Sequence, residues 1–214
     1  TPGFIGAMSH VRMRSVRHLN DDSTSQEEKK LIIDSFNKIK SLTNFKLKDA
    51  SNVNCIADIR KDILMYRSLY GNKKINIFID ALNDLRDCAN GDRRTATEDA
   101  VNKLKNMTVR YDCNIWLTAH LKKQSGRPTN DDIKETGGIA YMADLILLVY
   151  NALLAEGVST ILKETAPVGR AYEFYPIMDI NISKNKVTEA RGRKLLIMHS
   201  DEGWFEEIPT TKEE

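Results

Sequence analysis

The chain has 214 residues, 41% hydrophobic and 29% charged, with a formal net charge of +2. These values fit one ordinary globular domain, and so small a net charge does not announce a nucleic-acid partner, which leaves that task to local charge. Cys55, Cys88 and Cys113 lie far apart with no Cys-x-x-Cys or Cys/His cluster, which excludes a recognisable zinc site or disulfide framework and points to a reducing cytoplasm.

Thr1–Met8 holds two glycines and a proline and reads as a leader or expression scar. Residues 9–208 are expected to form the folded domain and 209–214 a frayed tail. Thr24-Ser25-Gln26-Glu27 reads as a capping box opening a helix with Ile32, Phe36 and Ile39 at helical spacing. A second helix carries Ile56, Ile59, Ile63 and Tyr66 and stops near Gly71. Ile75–Ile79 is a compact apolar strand ending at Asp80, followed by a Gly-, Asp- and Arg-rich loop over Arg86–Arg94. Thr95-Ala96-Thr97-Glu98 reads as another capping box, for a helix with Val101, Leu104 and Met107. A strand over Cys113–Thr118, a long polar loop to about Gly138 and a strand over Asp144–Tyr150 come next. That last apolar run is interrupted by Asp144 and far too short to span a bilayer, so no membrane is expected. Asn151–Arg170 reads as a helix followed by a loose insertion. Ile177–Ser183, Lys194–His199 and Trp204–Ile208 are closely spaced strands with Gly192 and Gly203 between them. The strand–helix alternation predicts an α/β fold, a mostly parallel sheet flanked by helices, and the C-terminal strands predict an antiparallel extension of it.

Three features carry chemistry. A carboxylate at the C-terminal end of a buried parallel strand, as at Asp80, stands where ligands bind in open α/β sheets and can hold a divalent metal; capping the next turn is the plainer role of the same residue. His120 follows the next strand at the same sheet edge, where a polar ring can contact a terminal phosphate, although a lone histidine is more often structural. The third feature is extended: His120-Leu121-Lys122-Lys123-Gln124-Ser125-Gly126-Arg127-Pro128 leads to Asp131-Asp132-Ile133-Lys134-Glu135-Thr136-Gly137-Gly138-Ile139, then Ala143-Asp144 and a strand.

This run resembles the fourth motif and central loop of DnaB-type replicative hexameric DNA helicases, in their RecA-like C-terminal ATPase domain. The His-Leu-Lys start is similar to the phage primase–helicase branch. Ile182-Ser183-Lys184-Asn185-Lys186 resembles the strand carrying that family's Lys-x-Arg pair, Gly203-Trp204-Phe205 its closing strand, and Leu47-Lys48-Asp49 through Ile56–Arg60 the segment before its Walker B strand. The likeness runs from about His10 to Ile208 and is strongest between Ile75 and Tyr150. It implies a hexameric, ATP- and Mg2+-dependent motor that translocates on single-stranded DNA, with a primase or loader as further partners. Asp80 would be the catalytic Walker B carboxylate and metal ligand, and His120 the phosphate sensor. Lys134, Glu135 and Gly137 would grip one DNA strand, with Lys122, Lys123 and Arg127 adding positive lining; contacts of that kind are sequence-tolerant and salt-sensitive. The plainer reading of the loop is a solvated turn, but Gly137-Gly138 permits close backbone approach. Lys184 and Lys186 would act catalytically across a subunit interface on the neighbour's ATP.

Two departures stand out. Lys186 replaces an expected arginine and lacks its planar fork, so Arg191 or Arg193 is a candidate substitute. No GxxxxGK[ST] occurs, nor any Gly-Lys pair, so the backbone cradle for the phosphates of ATP is missing. The chain is therefore expected to hydrolyse ATP poorly by itself, as a fragment of a motor or as a relative that lost ATP binding; the tag-like start favours a fragment. The competing reading is a non-enzymatic, helicase-like DNA-binding or scaffold module.

Overall fold

A computed structural model describes residues 7–49, 51, 53–89, 91–122, 126–134, 137–151, 177–188, 190–199 and 201–207. The described helices are α1 (Met13–Arg17), α2 (Gln26–Ser41), α3 (Ile56–Tyr70), α4 (Arg93–Arg110) and α5 (Gly137–Met142), and the strands are β1 (Ile75–Ile79), β2 (Cys113–Leu117), β3 (Leu145–Asn151), β4 (Ile177–Asn185), β5 (Gly192–His199) and β6 (Trp204–Glu207). Apart from Asn151, the helix and insertion expected over Asn151–Arg170 lie outside the described residues, as do the leader up to residue 6 and the tail.

Both helix starts differ from the sequence expectation. The capping box of α2 is one residue later, between Ser25 and Glu28, each side chain bonded to the other's amide. Thr24 instead donates its hydroxyl to the His18 carbonyl. Helix α4 begins at Arg93, because Asp92 accepts the Thr95 amide and hydroxyl and so caps three residues before the threonine expected to do it. Met107, Leu104 and Ala100 then share one face of α4 and are buried.

β1 and β2 pair in parallel, from Ile75 opposite Cys113 to Ile79 opposite Leu117. The other four strands form an antiparallel sheet in the order β3-β4-β5-β6. The expected parallel and antiparallel parts are both present, but among the described residues they form two sheets and not one continuous sheet. Among the described residues β3 does not continue the parallel sheet but runs antiparallel to β4, with a register shift between Ile146 and Leu147. After β2 the chain folds back locally: Leu121 and Ile133 form an antiparallel bridge. One edge of β3 is taken by β4.

Both sheets nevertheless face one core, in which Ile59, Ile63, Leu82, Leu104, Cys113, Ile146 and Leu148 are buried together. A smaller cluster of Val11 and Ile32, with Val16, Leu19 and Ile39 beside it, joins α1 to α2. It is tied to the C-terminal hairpin by the Met13 amide, 2.6 Å from the Asp201 carbonyl, and by an edge-on contact of His10 with Trp204. The other face of the parallel pair is open: Phe78 is 75% exposed and stacks on Trp116, 42% exposed, with centroids 6.0 Å apart. Among the described residues no helix is long and apolar enough to cross a membrane.

Candidate functional site

Strand β1 delivers Asp80, and β2 delivers Thr118 and His120, to one edge of the parallel pair. The ladder continues beyond the strands: the Thr118 amide bonds the Ile79 carbonyl at 3.0 Å and the Leu82 amide bonds the Thr118 carbonyl at 3.0 Å. Between them the Thr118 hydroxyl donates to Asp80 Oδ1 at 2.5 Å. That contact fixes one carboxylate oxygen and leaves the other open to solvent, since Asp80 is exposed. An exposed carboxylate beside a hydroxyl is a suitable donor pair for a hard divalent cation held largely through water. The described residues contain no group of three or more His, Cys, Asp or Glu able to hold a metal by themselves. The oxygens of Asp80 and Thr118 thus fit a hard cation such as Mg2+.

His120 is exposed at the same edge, and its carbonyl accepts the Lys134 amide at 2.9 Å. Two residues along, the Lys122 amide bonds the Asp132 carbonyl at 2.7 Å. The residues after β2 therefore form a small hairpin-like loop whose two ends are His120 and Lys134. Its return arm is stiffened by reciprocal bonds between Thr129 and Asp132, which also hold the Asp132 carboxyl below the usual range. The Lys134 side chain is exposed, whereas the Lys122 ammonium turns back to the Asp131 carbonyl at 2.8 Å. Gly137 opens α5. Lys123 and Glu135 lie outside the described residues. A Cβ on Gly138 would stand 3.1 Å from the Glu98 side chain, so that glycine lets α5 approach α4 closely.

Lys184 and Lys186 converge on the C-terminal carbonyls of α5. The Lys184 ammonium bonds the carbonyls of Ala140 and Tyr141, and Lys186 bonds that of Tyr141 at 3.1 Å with its charge over the Tyr141 ring. Burial and the neighbouring Lys186 push the Lys184 pKa below the ordinary lysine value. The two ammoniums thus sit together in the chain's own fold, on a separate element from Asp80 and His120. Arg191 donates to the Ser183 carbonyl at 2.7 Å, and Arg193 faces Asp179.

The sequence reading missed two features. One is the Thr118–Asp80 bond. The other is Asp179, which lies on β4 and is ion-paired to Arg127 and Arg193. Its signal was present in the alternation Ile177-Met178-Asp179-Ile180: a carboxylate two residues from a buried isoleucine, on the inward period of a strand, has to be paired.

These features define the class. This is an α/β domain with acidic, hydroxyl and imidazole groups at the carboxyl edge of a parallel pair, followed by a loop that ends at an exposed lysine, Lys134. The family profile described as "DnaB-like helicase C terminal domain" matches residues 4–199, and the chain belongs to that family. Among solved structures, "The Structure Of A DnaB-Like Replicative Helicase And Its Interactions With Primase" aligns with a TM-score of 0.76 and 17% identity over 96% of this chain and 47% of that one. A second solved structure, described as an "ATPase Domain", aligns with a TM-score of 0.79 and 18% identity over 97% of this chain and 69% of that one. At such identities the two show a shared fold. The chain spans less than half of the first and about two thirds of the second. No curated protein matches the sequence.

Proposed function

We propose that this chain is part of the motor domain of a replicative, phage-type DNA helicase, which as a hexamer would use ATP to translocate on single-stranded DNA and unwind duplex. The observation that carries this reading is the single hydrogen bond between the His120 carbonyl and the Lys134 amide. It joins His120, which follows β2 at the same sheet edge, directly to the exposed lysine of the loop. A ring at His120 can contact an anionic oxygen at the sheet edge, and any displacement of its backbone would be passed to Lys134. Lys134 would hold phosphates of one DNA strand by charge, which gives sequence-tolerant and salt-sensitive binding. Asp80, oriented by Thr118, would hold Mg2+ through water. ATP and Mg2+, when bound, supply the phosphoryl chemistry and its charge neutralisation. Lys184 and Lys186 would leave the Tyr141 carbonyl to face a neighbouring subunit's nucleotide, and a primase or loader would join the assembly. The open Phe78–Trp116 face is of a kind that further polypeptide covers, which supports the fragment reading.

Because the sequence holds no GxxxxGK[ST], the chain alone is expected to show Mg2+-dependent ATP turnover no higher than background. Robust turnover by the purified chain would overturn that part of the proposal. The same missing motif favours a second reading, a non-enzymatic DNA-binding or scaffold module. That module predicts strand binding with no effect of added ATP.

A further inference from the structure

Asp179 is the one buried charged residue among those described that the function above does not use. Its side chain is 6% exposed, near the start of β4. Arg127 Nε donates to Oδ2 at 2.8 Å. Arg193 Nε lies 3.0 Å from Oδ1 as an ion pair, but Oδ1 has no aligned hydrogen bond. The two partners are therefore unequal: Arg193 belongs to the adjacent strand β5, whereas Arg127 belongs to the loop and makes the aligned bond. Both guanidiniums remain half exposed. A buried carboxylate needs such compensation, and removing one partner leaves a charge whose desolvation nothing offsets.

A second contact ties the same loop to the same strand. The Ser183 hydroxyl donates to Asn130 Oδ1 at 2.7 Å. The loop is thus held at one end by the backbone bonds to His120 and Lys122, and along its return arm by Asp179 and Ser183 of β4. One residue beyond Ser183 comes Lys184, whose ammonium caps α5.

We propose that Asp179 is a positioning residue. Through Arg127 it fixes the loop over residues 126–134, and with it Lys134, to the strand that carries Lys184 and Lys186. Loop and strand then move as one body, and Arg127 serves as a tether rather than as a phosphate contact. The assignment of Lys134 to DNA rests on the proposed function; the tether itself does not.

The test compares Arg127→Gln, Arg193→Gln and Asp179→Asn in the full chain, reading amide hydrogen exchange at Lys122 and Lys134. Arg127→Gln is expected to speed exchange at both amides by about tenfold, with Arg193→Gln near wild type. Arg127→Gln should add nothing further in the Asp179→Asn background, and Arg127→Lys should recover part of the protection. Equal effects of the two arginine changes would mean that Asp179 only needs its charge neutralised, and would overturn the proposal; so would wild-type exchange in Arg127→Gln. Both arginines are half exposed, so their variants keep the test open even if Asp179→Asn fails to fold. Binding of an oligothymidylate is measured alongside. A tether predicts that Arg127→Gln weakens binding with an unchanged slope of log affinity against log salt. A direct phosphate contact predicts a slope smaller by about 0.7 with exchange unaltered, which overturns the proposal. If the wild-type chain does not bind the oligonucleotide, the DNA reading fails while the exchange result still decides the tether.

Discussion

Ser25 and Glu28 satisfy two amides that the first turn of α2 would otherwise leave open. Ser25→Ala is expected to cost about 1 kcal/mol, read as a lower denaturant midpoint with an unchanged slope. The bonds from Ser25, its amide first and its hydroxyl second, hold the Glu28 carboxyl below its ordinary pKa of 4.5. A carboxylate lowered in this way contributes stability that is fully present above 4.5 and is lost as pH falls through the lower folded value. Glu28→Ala should therefore destabilise the chain at neutral pH, and the difference from wild type should shrink in strong acid. A difference that stays constant with pH would show that Glu28 acts by something other than its charge.

Helices α3 and α4 and strands β1 and β2 were legible because each repeats its apolar residues at its own period. Ile56, Ile59 and Ile63 lie on one face of α3, and Leu104 and Met107 on one face of α4. Leu104 is 2% exposed, and Leu104→Ala is expected to cost about 2–5 kcal/mol in a denaturation measurement, since the cavity left can collapse only partly. The helix starts were off by one and three residues because Thr, Ser and Asp all cap, and only the folded chain shows which oxygen meets which amide. The pairing of β3 was not legible either. A short apolar run fits a parallel or an antiparallel neighbour equally well, and the choice is made by the long β4 returning along it. The loop was legible as an order of residues, His120 to Gly137. Its hairpin-like closure depends on backbone bonds from Lys122 and Lys134 that leave no mark on the sequence. Arg127, expected to line a DNA path, meets Asp179 52 residues further along the chain, a pairing that composition and local spacing do not encode.

At the scale of the whole molecule, a net charge of +2 gives little long-range attraction for DNA, so any affinity must come from local cations. The distribution matches that requirement. Lys122, Lys184, Lys186, Arg127, Arg191 and Arg193 are all engaged within the fold, while Lys134 stands exposed at the end of a braced loop. The profile match over residues 4–199 places the chain in the DnaB-like helicase C-terminal domain family, and the proposed function assigns its chemistry to the Asp80–Thr118 edge and the His120–Lys134 bond. The most direct measurement is a salt titration of oligothymidylate binding to the purified chain and to Lys134→Ala. The proposed grip predicts weaker binding by the variant on every base sequence tried and a salt slope smaller by about 0.7. Equal affinity and equal slope for the two proteins would contradict it.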